Sequence, residues 1–335
     1  MCWSVLRKEF RLVQFRLLHP NAADFAQSPW FGVIIVLLYR FFVAAFCFGW
    51  LIGGAIYYPR SGPRWFIYLS NWSFFFVTLY FICATIVTAV HYKKHRKQGQ
   101  HDVRDPAEND VEEFALKENC GDPANGNSTN GCEPRDIMGT RHVRDDGEVV
   151  FAVDDLEASR ADPMAWFHEA LWVIYNIAAV AATVVTLSFW LLIFRYTNGA
   201  SALSVVVHGV NSIVMVGDTM LSSIPVRLFH VVYPMLYSAT YIVFTVIYWA
   251  FGGTNSFGMP YIYPQTDYTG RPVVSAVSQV CLFFIGLPLC QSVMFGFYGL
   301  RVWMKTKCGN SVVRVSQKAC YLVHTVSNLD GTNAL

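Results

Sequence analysis

His208, Asn211 and Asp218 stand inside an apolar run, Ser201–Leu221 (SALSVVVHGVNSIVMVGDTML), long enough to cross a bilayer. Ionisable side chains are costly in hydrocarbon and mark pairing or functional sites. At about 100° per residue the three positions fall in a stripe roughly 80° wide, which predicts that they face the interior of a helix bundle. By helical rise, Ser70 is expected ~7 Å and His208 ~10 Å below the same membrane face. A serine hydroxyl beside a histidine acting as general base is a nucleophile. A serine bonded to its own helix backbone is structural, and spacing leaves both readings open. Asn211, one turn from His208, is expected to orient the imidazole, and Tyr68, Asn71 or Asn211 to bond an oxyanion. Asp218 lies ~15 Å along the helix from His208, too far to orient it. It is expected to form a structural ion pair with Arg227, or with His230, across the short turn at Ser222-Ser223-Ile224-Pro225. Arg40, in the middle of another apolar run, needs a partner: Glu169, Asp218 or a substrate carboxylate.

The elements that must position these residues are membrane helices. Charged residues make up 14% of the chain and hydrophobic ones 54%, against about 25% charged in soluble domains. The apolar residues cluster into runs near 31–57, 66–90, 167–194, 202–221, 226–250 and 275–302. Each can cross a ~30 Å hydrocarbon core. The fold class expected is therefore all-α, a polytopic six-transmembrane-helix bundle. Basic residues collect beside alternate span ends: Arg7, Lys8, Arg11 and Arg16, then Lys93, Lys94, Arg96 and Lys97, then Arg301, Lys305 and Lys307. That bias places both termini in the cytosol, although Arg60, Arg64, Arg195 and Arg271 fall on the other side. No cleavable signal peptide is expected, because the first apolar run is too long and lacks a small-residue cleavage site.

The organisation read from this pattern is an N-terminal amphipathic cytosolic segment (1–30), helices 1–2 (31–91), a disordered cytosolic loop (92–165), helices 3–6 (166–303) and a cytosolic tail (304–335). Trp3, Leu6, Phe10, Val13 and Leu17 recur at threes and fours, one face of an amphipathic helix. That face lies either on anionic lipid or on the protein's own surface. The 92–165 block is rich in Asp, Glu, Gly, Asn and Lys and poor in aromatics, a composition that does not build a core. Its sequon, Asn127-Ser128-Thr129, is unused if the loop is cytosolic.

Nine cysteines show no metal-ligand spacing. Cys47, Cys83, Cys281 and Cys290 read as packing residues, Cys120 and Cys132 as reduced thiols, and Cys2 and Cys308 as membrane-bordering. A haem would need two histidines at one depth, for which only His168 and His230 qualify. No metal or cofactor is expected, nor a nucleic-acid partner. No internal repeat or matched pair of broken helices supports a transporter.

The runs EFRLVQFRLLHPNAADFAQSPWF, LLYR, FIYLSNW, HGVNSIVMVGD, IYWAFGGTN and PYIYPQTDY resemble the rolling stone proteins over roughly residues 9–91 and 166–303. The resemblance implies a multi-pass plasma-membrane protein acting in myoblast fusion and muscle development, with an unidentified protein partner at the fusion site. A more distant resemblance is to the androgen-induced intramembrane hydrolases of fatty-acid hydroxy-fatty-acid esters. It implies a membrane lipid ester as substrate and matches their histidine to His208 and their threonine, in a Tyr-Leu-Thr setting, to Ser70 of Tyr68-Leu69-Ser70. In that case Ser70 and His208 are catalytic, and Arg40 meets the fatty-acid carboxylate. A third reading is a non-catalytic scaffold that makes contact through the loop GGTNSFGMPYIYPQTDYTGRP.

Overall fold

A computed structural model describes residues 9–57, 62–104, 163–194, 199 and 201–307. Six helices in it are long and apolar enough to cross a membrane, and no strand occurs among the described residues. Helix α1 spans Val33–Tyr57 and α2 spans Leu69–Arg104. Helix α3 spans Trp166–Ser188 and continues through a π-helical turn, Phe189–Ile193. Helix α4 covers Ala202–Leu221 with a π turn at Val206–Val210. Helix α5 spans Val232–Ala250. Helix α6 covers Pro272–Lys307 with a π turn at Leu282–Gly286.

The core lies between α2 and α3, each of which buries half of its apolar stretch; α1 buries only 22% of its own. Phe74, Val77, Tyr80, Phe81 and Ala84 line one face of α2, and Trp172, Tyr175, Ala178, Ala179 and Ala182 line the facing side of α3. The threes and fours in both sets follow from the helical repeat. The three alanines lack bulk, which lets the backbones approach where lipid supplies no hydrophobic drive. On α1 the large side chains Ile34, Leu38, Phe41 and Phe42 point outward, as expected where hydrocarbon takes the place of solvent.

One end of the bundle is tied together around the α4–α5 turn. Arg301 of α6 donates to the carbonyls of Thr219 (2.6 Å), Ser222 and Ile224 (2.9 Å), and so satisfies backbone acceptors that the end of α4 leaves open. The Trp172 indole donates to the Pro225 carbonyl (2.8 Å), the Trp30 indole to Met220 (2.7 Å), and the Ser223 amide to Gln27 (2.9 Å). The N-terminal strap, the α4–α5 turn and the end of α6 therefore share one end, as an even number of spans requires. The basic residues cluster at this end, called here the basic end; the opposite one, with the α5–α6 loop, is the loop end.

Three boundaries differ from the sequence reading. Helix α2 runs on to Arg104, so residues 92–104 belong to a helix and not to the hydrophilic loop. Lys, Arg and Gln are good helix formers, and the run meets no proline before Pro106. Residues 105–162 of that loop, with Cys120, Cys132 and the Asn127 sequon, lie outside the described residues, as do Cys2 and Cys308. Helix α6 continues to Lys307 rather than ending near 302. The N-terminal segment is not one continuous helix: a 3₁₀ turn at Leu12–Phe15 ends at an extended Arg16. It packs on the protein's own basic end, where Phe15 stacks on Phe229 at 4.3 Å. Trp3 and Leu6 lie outside the described residues.

Candidate functional site

At the loop end five helices and the α5–α6 loop line a partly open apolar cavity of about 160 Å³. Ser70 reaches it from the first turn of α2, Phe189 from the end of α3 and His208 from α4. Tyr241 and Thr245 line it from α5, Gln279 from α6 and Tyr263 from the loop. The start of α2 is held by Tyr241, whose hydroxyl donates to the Ile67 carbonyl (2.7 Å) and accepts from the Leu69 amide (3.1 Å). That accounts for one of the orphan amides of a helix N-terminus and fixes the depth of Ser70. The Tyr263 phenol folds back from the loop onto Leu69, Ser70 and Tyr241. Burial pushes it up to about 12, against hydrogen bonding to Ser70 and Leu69 that pulls it down.

His208 sits inside the Val206–Val210 π turn. Its ring stacks flat on Phe189, centroids 3.9 Å apart and planes within 4°. Trp190 donates its indole hydrogen to the His208 carbonyl (2.9 Å). The imidazole Nδ1 is buried with no hydrogen-bond partner among the described residues. Ser70 and His208 thus line one cavity, while no hydrogen bond joins them among the described residues.

A family profile described as protein rolling stone matches residues 153–322, half of the chain. The chain belongs to the rolling stone family. It is 26% identical over 303 residues to the protein rolling stone of Drosophila melanogaster, a match that covers 88% of this chain and 89% of that one. No solved structure matches.

Elsewhere in this rolling stone chain the expected site residues have other partners. Asn211 does not orient His208; its Oδ1 accepts from Thr186 at 3.2 Å. Asn71 donates to the Trp65 carbonyl (2.7 Å), and the Tyr68 hydroxyl meets Ser256 (2.9 Å). None of the three lines the cavity, so none is placed to bond an oxyanion there. Arg40 is fully buried away from the cavity. It donates to Asp218 (3.4 Å), the Phe25 carbonyl (2.8 Å) and Thr88 (2.9 Å). The other Asp218 oxygen accepts from Tyr80. The expected Asp218–Arg227 pair is therefore replaced by two separate ones, because Arg227 bonds Glu9 (3.1 Å) and Gln14 of the N-terminal strap.

His168 accepts from the Ala165 amide at the start of α3 (3.1 Å), and His230 packs edge-on against Trp172. Tyr263 and Gln279 line the cavity without having been expected from sequence. The fifth-span stripe Arg227, His230, Pro234, Tyr237, Tyr241 and Tyr248, by contrast, was open to lining a cavity above His208, and Tyr241 does so. Gln279 is an amide isolated in an apolar run. Tyr263 carries no local signal, since a loop residue reaches Ser70 only through tertiary folding.

Proposed function

We propose that the chain acts at the plasma membrane in myoblast fusion and muscle development, the role its resemblance to the rolling stone proteins implies. Membership of that family carries the reading. The α5–α6 loop supports it: hydrogen bonds from Arg64, Tyr68 and Tyr248 hold it to the bundle, and Phe251 and Phe257 stand almost fully exposed. An ordered loop with exposed aromatics suits contact with a partner protein at the fusion site. Depleting the protein from differentiating myoblasts should lower the fusion index, and returning the full chain should restore it. A variant carrying Phe251→Ser and Phe257→Ser should reach the surface yet fail to rescue. Normal fusion in depleted cells would overturn the reading.

A second reading is hydrolysis of a membrane lipid ester at the loop-end cavity. The shared cavity of Ser70 and His208 favours it. Attack of Ser70 Oγ on the ester carbonyl, with His208 taking the proton and returning it to the leaving alkoxide, gives an acyl-enzyme that water then cleaves. The reaction needs His208 to leave Phe189 and reach Ser70, and among the described residues no carboxylate lines the cavity to orient it. Labelling of the purified protein by a fluorophosphonate, lost in Ser70→Ala and in His208→Ala, would support hydrolysis. No labelling of the wild type, beside a labelled control hydrolase, would remove it.

A further inference from the structure

At the basic end a groove opens on the outer surface of the bundle where the start of α1, the end of α4 and the end of α6 meet. Trp30 and Phe31, Met220 and Leu221, and Trp303, Met304 and Lys307 line it. Its lining is almost wholly apolar, with Lys307 its one charged residue. The Trp30 indole is held rigid by its bond to the Met220 carbonyl. Lys307 Nζ stands 5.7 Å from the centre of the Trp303 ring. Arg301, nearly two turns before, is buried and donates to backbone carbonyls. Lys305 and Lys307 are both exposed.

Tryptophans at the ends of two membrane spans, with a lysine beyond them, are at headgroup depth. There an apolar slot meets hydrocarbon on one side and a cation meets water on the other. We propose that this groove binds one anionic phospholipid, an acyl chain lying between Trp30 and Trp303 and the phosphate meeting Lys307. Charge decides the occupant. The groove offers a cation at its polar rim and no carboxylate in its lining. The same end carries Lys93, Lys94, Arg96, Lys97 and Lys305, a field that enriches anionic lipid.

The test places the full-length protein in nanodiscs with photoactivatable phosphatidylserine or phosphatidylcholine, each with a diazirine in one acyl chain, and maps cross-links by mass spectrometry. The phosphatidylserine probe should label Trp303 or Met304 well above the phosphatidylcholine probe. Lys307→Gln should cut that labelling about fivefold, the worth of one basic residue at an anionic surface. Lys93→Gln, at the same end but outside the groove, measures the general field and should lower the labelling clearly less than Lys307→Gln; an equal drop would overturn the proposal. Equal labelling by both probes would mean ordinary annular lipid and overturn the proposal. So would protection of the groove by the chain's own residues 308–335, read as labelling that appears only when they are removed.

Discussion

The Arg40–Asp218 pair gives the sharpest test of the fold. Both side chains are fully buried, and α1, α2 and α4 meet there, since Thr88 and Tyr80 supply the remaining bonds. Removing one member of a buried pair strands the other charge and costs about 3–5 kcal/mol, whereas replacing both with apolar residues of similar volume is close to neutral. Arg40→Met leaves Asp218 with Tyr80 alone; Asp218→Leu leaves Arg40 with one carbonyl and one hydroxyl. Each should destabilise by that amount. The double variant should be far milder than the sum, with a coupling of about 3 kcal/mol or more, at the upper end of what contacting residues show. Unfolding of the purified proteins in mixed micelles, by titration with sodium dodecyl sulfate and near-UV circular dichroism, measures all three. Additivity within about 0.5 kcal/mol, the behaviour of independent sites, would refute the pairing. Restoration by Arg227 substitutions instead would return Asp218 to the partner expected from sequence.

Two further predictions concern the strap and the topology. Burial raises the Glu9 carboxyl above its ordinary 4.5, with Arg227 opposing. The docked strap therefore holds the Glu9 proton more tightly than the free strap. The contribution of Glu9 to docking is fully present below 4.5 and is lost as pH rises through the raised value. Glu9→Gln should flatten that dependence, seen as hydrogen-exchange protection of residues 9–16 corrected for intrinsic rates; an unchanged slope would refute it. If the basic end faces the cytosol, Asn127 carries no glycan and endoglycosidase leaves electrophoretic mobility unchanged. A mobility shift abolished by Asn127→Gln would invert the topology.

The six spans were legible because lipid-facing helices such as α1 are apolar on nearly every face, and hydropathy needs no knowledge of neighbours. The need of Arg40 for an acidic partner was equally plain from its mid-span position. Which acid it takes was not, because adjacency of α1 and α4 is a property of the packed bundle. The Asp218–Arg227 expectation failed for the same reason: nearness in sequence stood in for nearness in space. Arg227 lies past the turn, where Glu9, 218 positions away, reaches it. Depth alone put Ser70 and His208 in one leaflet, and the structure puts them on one cavity. Tyr263, which actually touches Ser70 there, comes from a loop whose return path no periodicity encodes.

The failure of Asn211 to meet His208 has a local cause. Their three-residue spacing shares a face only if α4 keeps α geometry, but His208 lies in a π turn that ends immediately before Asn211. A turn closed at the fifth residue rather than the fourth winds less per residue, so Asn211 stops short of the histidine's face and meets Thr186 instead. The other two π turns also reach the cavity, through Phe189, Leu192 and Ile193 on α3 and Leu282 on α6. Such turns gather at functional sites because one extra residue re-aims a side chain without ending the helix. Deleting Val210 should let α4 close as an ordinary helix and bring His208 one residue closer to Asn211, turning it to another face relative to the residues that follow. The fold should survive, because Met215, Asp218 and Thr219 keep their register with α1–α3. His208 should leave the face of Phe189, and its imidazole resonances, ring-current-shifted by that stack in histidine-labelled protein, should move as they do in Phe189→Leu. Unmoved resonances in the deletion variant would mean that the π turn does not aim the histidine.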